Sequence, residues 1–105
     1  MNTLRIGAGA GYSGDRLEPA VELARDGQLD YLIFECLAER TIALAQIEKR
    51  RDPEAGYEPM LERLLEPVLA ECARAGIPIL GNFGAANPMA APKSVSYTHL
   101  TLPTT

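Results

Sequence analysis

The sequence predicts an α/β protein with a parallel sheet and the element order βαβαβ(α). Three short apolar segments alternate with longer segments in which apolar residues recur at helical spacing. The apolar segments do not alternate with polar residues, which is typical of parallel strands covered on both faces. Each of them ends in a cluster of glycine, asparagine or acidic residues. The strand number does not distinguish an open sheet from part of a barrel.

The first half of the chain contains two predicted strands and two predicted helices. Residues 4–8 form the first strand, and a glycine-rich turn follows it. The first helix is predicted at residues 17–25 and ends before Gly27, because glycine is preferred directly after a helix. Residues 31–34, all apolar or aromatic, form the second strand. The second helix is predicted at residues 41–51, where an Asp-Pro pair ends it.

The second half contains the clearest helical pattern and a third strand. Apolar residues recur at i, i+3, i+4, i+7, i+8 and i+11 from Leu61, the stripe of a helix packed on a sheet. Pro67 lies in this segment and predicts a kink or break, because proline has no N–H to donate. Gly76 ends the helix, and residues 77–80 form the third strand. Asn87, followed by proline, predicts the N-cap of a fourth helix.

The C-terminal segment differs in composition from the rest. Residues 93–105 contain six Ser and Thr residues, whereas residues 1–92 contain three. The string SVSYTHLTLPTT resembles a translated sequencing-adapter peptide that occurs at the ends of unrelated predicted proteins. We expect residues 1–92 to be the N-terminal part of one incomplete α/β domain, truncated from a larger Rossmann-like or barrel-like domain. Residues 93–105 are then a non-native or disordered tail, and His99 within it is excluded as a catalytic base.

Composition argues against several classes of protein. The net charge is −4, and no basic stripe is present that would neutralise nucleic-acid phosphates. No apolar stretch reaches the roughly 18 to 20 residues of a membrane span, so we expect no membrane partner and a cytoplasmic location. Cys36 and Cys72 lack the paired spacing of a zinc site and are expected to be reduced and buried. No metal is expected, and the cofactor and oligomeric state are not indicated.

The cluster after the first strand matches a dinucleotide-binding pattern. Residues Gly9 to Gly14 satisfy G-x-G-x-x-G, and Glu35 lies at about the distance along the chain of a ribose-binding carboxylate. Asp15 and Glu18, however, place negative charge where the phosphates would lie. The alternative is a tight turn permitted by the glycines, with Asp15 as a helix cap.

The clusters after the second and third strands carry groups suited to proton transfer and oxygen binding. Glu35 and Glu39 are candidates for a general acid or base, and Arg40 for an anion-holding guanidinium. The alternative is a strand-end ion pair and a helix-start carboxylate favoured by the helix dipole. Asn82 and Asn87 bracket a loop that can present amides to a carboxylate or carbonyl oxygen. Helix capping accounts for Asn87 but not for Asn82.

The strings GAGYSGDRLEPA, LDYLIFECLAERTIALAQ, DPEAGYEP and GNFGAANP resemble the N-terminal region of the acyclic terpene utilisation family, the AtuA-like proteins. The resemblance covers residues 4–91. It implies a place in a pathway, the bacterial breakdown of citronellol and geraniol, more than a particular reaction. Carried over from the family, the motif positions fall at Gly11, Ser13, Gly14, Asp15, Arg16, Glu35, Glu39, Arg40, Thr41, Asn82, Gly84 and Asn87.

Together, residues and resemblance predict a site for a small anionic or acyl-linked ligand, such as a terpenoid acyl-CoA, at the carboxyl ends of the strands. Glu35, Glu39 and Arg40 are the predicted catalytic residues. The predicted ligand-binding residues are Gly11, Ser13, Gly14, Asp15, Arg16, Asn82, Gly84 and Asn87. Two alternatives stay open: a dinucleotide-dependent oxidoreductase, and a non-catalytic accessory or scaffold protein.

Overall fold

The computed structural model describes residues 3–101, with side chains described as far as Ser96. The elements are β1 Ile6–Ala10, α1 Glu18–Asp26, β2 Tyr31–Phe34, α2 Glu39–Arg51, α3 Leu61–Ala75, β3 Ile79–Gly81 and α4 Ala91–Thr101. The three strands are parallel and lie in the order β1-β2-β3. Helices connect successive strands, two of them between β2 and β3. The α/β prediction is therefore confirmed.

The strand ends define one edge of the sheet. β2 is the central strand, and its last residue, Phe34, pairs with Ala10 of β1 and with Gly81 of β3. The pairing of β1 with β2 shifts in register between Ala8 and Ala10, as at a β-bulge. Because the last residues of the three strands lie side by side, the loops that follow them start from the same edge. We call this edge, with the three loops, the sheet rim.

The core lies on one face of the sheet, beneath α1 and α3. From β2, Leu32 and Phe34 point into it and are 0% and 3% exposed. The ring of Phe34 occupies the space beside Gly9, where an added Cβ would meet its Cε1 at 2.6 Å. The predicted apolar stripe of α3 is confirmed, since its buried residues are Leu61, Leu64, Leu65, Val68 and Cys72.

The opposite face of the sheet is uncovered in the described part of the chain. Ile6, Ile33 and Leu80, one from each strand, are 55%, 38% and 52% exposed. The expectation that the strands are covered on both faces is thus not met by residues 3–101. α2 does not supply the cover, because its contacts are with the loops around it rather than with the sheet.

Two boundary predictions, the start of β3 and the break in α3, differ from the structure for local reasons. β3 starts at Ile79 rather than at residue 77, because Pro78 accepts a hydrogen bond from Leu32 N at 3.0 Å but has no N–H to continue the ladder. α3 passes through Pro67 without a break in its helical assignment, and Pro67 is exposed. Proline has no N–H, so the carbonyl of residue 63 loses its usual helical donor.

The fourth helix starts later than predicted and extends beyond residue 92. Asn87 Oδ1 accepts a hydrogen bond from Ala90 N at 3.2 Å, so Asn87 caps a turn that precedes the helix. α4 itself begins at Ala91 and runs to Thr101. Residues 93–101 therefore belong to a helix, and the predicted non-native origin of this segment stays a prediction. Residues 102–105 and the side chain of His99 lie outside the described set.

Candidate functional site

Asn82 joins the carboxyl ends of β3 and β2. Its Nδ2 donates to Glu35 Oε1 at 2.7 Å, and its Oδ1 accepts from Cys36 N at 2.8 Å. Both ends of the amide are thus used in one bridge, which fixes its orientation. Asn82 therefore has a structural role, the link between β2 and β3, although it does not cap a helix.

Glu35 is an exposed carboxylate held by two donors. Besides Asn82, the backbone N–H of Leu37 donates to Glu35 Oε1 at 3.0 Å. The hydrogen bond from Asn82, followed by that from Leu37, lowers the pKa of Glu35 below its usual value of 4.5. Hydrogen bonds that favour the charged form act in this direction. At neutral pH Glu35 is therefore an acceptor and not a proton donor.

Asp15 closes the loop after β1. Its Oδ2 accepts from Gly11 N and its Oδ1 from Arg16 N, both at 2.8 Å. These two backbone hydrogen bonds, that of Gly11 first, lower the pKa of Asp15 below its usual value of 3.8. Gly14 lies at φ 86°, in the left-handed region that glycine adopts readily. Asp15 does not cap α1, because the N-cap residue is Leu17, which makes no side-chain cap hydrogen bond.

This arrangement bears on the dinucleotide alternative. A pyrophosphate in a G-x-G-x-x-G loop is held by backbone N–H groups of the loop and the helix start. Here the N–H groups of Gly11 and Arg16 already bind the Asp15 carboxylate. A phosphate would have to displace that carboxylate and approach its negative charge. The geometry favours the tight-turn interpretation of the glycines.

Glu58 is a site residue for which the sequence carries no clear signal. It lies just before α3 and is 3% exposed. The hydroxyl of Ser13 lies 2.9 and 3.0 Å from its two carboxylate oxygens, and Met60 N donates to Oε1 at 3.3 Å. Its backbone N–H donates to Phe83 O at 2.7 Å. Glu58 thus ties the loops after β1 and β3 together.

Cys36 lies among the acidic residues of the rim. It is 2% exposed. Burial, with added effects of the negative charges of Glu58, Glu35 and Asp15, raises the pKa of its thiol to about 11. The thiol is therefore protonated at neutral pH and is not an activated nucleophile.

Glu39 and Arg40 are separate from this network. Both lie in the first turn of α2 and are exposed. In the part of the chain that the structure describes, neither forms an ion pair. Thr41 has a local role, since its Oγ1 lies 2.6 Å from Ala38 N and donates to Ala38 O at 2.8 Å. The predicted common role of Glu35, Glu39 and Arg40 therefore stays a prediction.

The remaining predicted site residues have internal contacts. Asn87 is 6% exposed, and its Nδ2 donates to Pro53 O and Ala55 O, both at 2.8 Å. Gly84 permits a close approach of the chain, because an added Cβ would meet Pro88 Cα at 2.8 Å. Arg16 lies on the surface, with its Nε 4.0 Å from the carboxylate of Glu18.

Two cavities adjoin the rim. One of about 590 Å³ lies between α3, β3 and α4 and has mainly apolar walls, which include Leu65, Ile79, Phe83 and Val95. The other, of about 280 Å³, lies between α2 and the segment before α3 and is called the α2 cavity. It is lined by Thr41, Leu44, Ala45, Glu48, Ala55, Gly56, Tyr57, Glu58, Pro59, Glu62 and Ala85.

Among residues 3–96, no group of three or more His, Cys, Asp or Glu side chains has an arrangement that could hold a metal ion. In the same part of the chain, none of the helices combines the length and apolar character needed to cross a membrane.

A comparison with protein families identifies a family for this chain. The family model described as "Acyclic terpene utilisation family protein AtuA" matches residues 4–101. The match includes all three loops of the sheet rim and α4. Neither the curated proteins nor the solved structures gave a significant match.

Proposed function

The chain belongs to the acyclic terpene utilisation family AtuA, and from that premise we propose that it binds a small acyl-linked ligand at the sheet rim. The ligand class is a terpenoid acyl thioester, which places the protein in acyclic terpene breakdown. The observation that carries this proposal is the bridge from Asn82 to Glu35 and to the backbone of Cys36. It holds an amide and a carboxylate in fixed positions where two strands end.

The bridge is suited to binding a carbonyl oxygen. The Asn82 amide has two N–H groups, and the hydrogen bond to Glu35 uses one of them. In the part of the chain that the structure describes, the second makes no hydrogen bond, so it can donate to an acyl oxygen. The carboxylate of Glu35 polarises the amide and accepts a proton or a hydroxyl hydrogen from the ligand. Since its lowered pKa makes Glu35 a weak base, this geometry supports binding of the acyl group more directly than proton abstraction.

The anionic part of such a ligand requires a positive group. Arg40 is the candidate, because it is exposed in the first turn of α2. The partial positive charge at the start of that helix acts in the same direction. The negative charge of Glu39, the residue before Arg40, acts against anion binding. We therefore assign the phosphates of a CoA group to Arg40 and the acyl oxygen to Asn82.

Calorimetric titration tests this assignment. The probes are a monoterpenoid acyl-CoA and free CoA, titrated into the parent chain and three variants. Asn82→Ala is expected to weaken acyl-CoA binding about tenfold, the effect of losing roughly 1.4 kcal/mol of hydrogen bonding. Arg40→Gln is expected to weaken both probes, whereas Arg50→Gln, in the last turn of the same helix, leaves both unchanged. Unaltered acyl-CoA affinity in Asn82→Ala would contradict the role of the bridge.

A non-catalytic accessory protein is the second candidate, and the rim geometry also supports it. Ser13, Asp15 and Asn87 use their side chains in hydrogen bonds within the chain. Such contacts hold loops in place and leave fewer groups for a substrate. If the acyl-CoA neither binds in the titration nor raises the melting temperature of the parent chain, the accessory role is favoured.

A further inference from the structure

Glu58 is a buried carboxylate with no cationic partner in the described residues. Its hydrogen-bond donors are the hydroxyl of Ser13 and the backbone N–H of Met60, both uncharged. No Lys or Arg lies within ion-pair distance of it in the part of the chain described. A carboxylate offers about four acceptor positions, so these donors leave acceptor capacity unused. Burying such a group is costly unless a cation or further donors compensate it.

The α2 cavity adjoins Glu58. Glu58 is one of its lining residues, and the volume of about 280 Å³ is near the lower end of small-molecule sites. Most of the wall is apolar, with contributions from Leu44, Ala45, Ala55, Pro59 and Ala85. A mainly apolar wall with the buried Glu58 beside it fits an organic molecule with a single polar end, rather than a hydrated metal ion.

The charges around the α2 cavity determine the sign of that polar end. The ionisable groups on its wall are Glu48, Glu58 and Glu62 and the phenol of Tyr57. Lys49, the next residue on α2, is directed to the carbonyl of Ala86, to which its Nζ donates at 3.1 Å, and is not a lining residue. The cavity wall therefore attracts positive charge and repels anions. The ring of Tyr57 adds a surface that favours cations.

We propose that the α2 cavity binds a small organic ammonium ion, with the ammonium group donating to Glu58 and the carbon chain packed against the apolar wall. Hydrogen bonds between an ammonium group and a carboxylate are short and strong because both partners carry charge. This site is distinct from the acyl-binding bridge, which uses Glu35 and Asn82. Its ligand has the opposite charge to the ligand at the rim.

Calorimetric titration with 3-methylbutylammonium chloride tests the site. The comparison ligand is 3-methylbutan-1-ol, which has the same carbon chain and a neutral hydroxyl, and sodium chloride at the same ionic strength controls for salt. We expect saturable binding of the ammonium ion, at least tenfold tighter than binding of the alcohol. In Glu58→Gln, which keeps an acceptor for Ser13, the affinity for the ammonium ion is expected to fall at least tenfold and the preference over the alcohol to disappear.

Two further variants separate this site from general effects of charge and folding. Ala55→Leu fills the cavity and leaves Glu58 in place, so it is expected to abolish binding of both ligands; circular dichroism checks that each variant is folded. Glu66→Gln removes an exposed carboxylate of α3 that does not line the cavity, and it is expected to bind like the parent.

Equal affinity for the ammonium ion and the alcohol, or tighter binding of the alcohol, would overturn the proposal. Ammonium binding that survives Ala55→Leu would also overturn it, and this variant decides if Glu58→Gln does not fold. The acyl-CoA titration of Asn82→Ala is independent of these results. Failure at one site is therefore distinguishable from failure at the other.

Discussion

At the scale of single residues, the three carboxylates of the rim differ in how deeply they are buried. Asp15, Glu35 and Glu58 each accept from two donors, but Glu35 is exposed and Asp15 half-buried, whereas Glu58 is buried. Burial first, and then the negative charges of these three carboxylates, raise the pKa of the Cys36 thiol. The rim is thus rich in negative charge, and the proposed counter-charge for a ligand anion is Arg40 at the start of α2.

The lowered pKa values predict a loss of stability in acid. Asp15 and Glu35 bind protons less readily in the folded chain than in the unfolded chain. Their contribution to folding is therefore fully present above about pH 5 and is lost as the pH falls through the lowered folded-state values. Melting temperatures measured from pH 7 to pH 3 are expected to fall less steeply in Asp15→Asn and Glu35→Gln than in the parent. The control is Glu66→Gln, because the Glu66 carboxylate of the parent makes no hydrogen bond in the described residues. Equal slopes of melting temperature against pH in all four proteins would contradict the assignment.

Sequence reasoning found some rim residues and missed the contacts that give them roles. Glu35 and Asn82 were identified because each follows a strand, but nothing local to either residue predicts that they bond across 47 positions. Glu58 was missed because a glutamate before a helix is ordinarily exposed, and its burial depends on Ser13 and Phe83 from distant loops. Glu39 and Arg40 make no hydrogen bond to the Glu35–Asn82 bridge in the described residues, so their joint role with Glu35 stays a prediction.

At the scale of elements, the clearest agreement between pattern and structure is α3. Its apolar spacing predicted both the helix and its buried face, and Gly76 predicted its end. These signals are local, since they depend on residues within a few turns of one another. The start of β3 was less predictable because strand assignment depends on the partner strand, and the ladder begins only after Pro78.

The end of α3 supports a quantitative prediction. Gly76 has φ 69°, and an added Cβ would meet no other heavy atom within 4 Å, so only backbone strain opposes a side chain there. Gly76→Ala is expected to lower the free energy of unfolding by about 1–2 kcal/mol, the cost of placing an L-residue in the left-handed region. Gly76→Asn is expected to lose less, because asparagine tolerates this conformation. Urea unfolding measures both, and an Ala variant as stable as the parent would contradict the stated role of the glycine.

At the scale of the whole molecule, the two faces of the sheet differ in solvent exposure. One is covered by α1 and α3, while the other presents apolar side chains from all three strands to solvent. The strand sequences are those of a sheet covered on both sides, so the pattern correctly predicted apolar residues on this face and wrongly predicted their burial within the described chain. The strand order β1-β2-β3 fits the start of an open sheet and of a barrel alike.

The uncovered sheet face predicts self-association. Exposed apolar patches and unpaired strand edges favour contacts between copies of a chain, and Leu80 lies on both, since β3 is an edge strand and Leu80 is 52% exposed. Sedimentation velocity is expected to show that the parent chain associates more as its concentration rises. Leu80→Lys is expected to reduce this association. Met89→Lys adds the same charge at a residue that is 79% exposed but lies outside the sheet, so association is expected to persist, and equal behaviour of the two variants would show that the sheet face is not the contact.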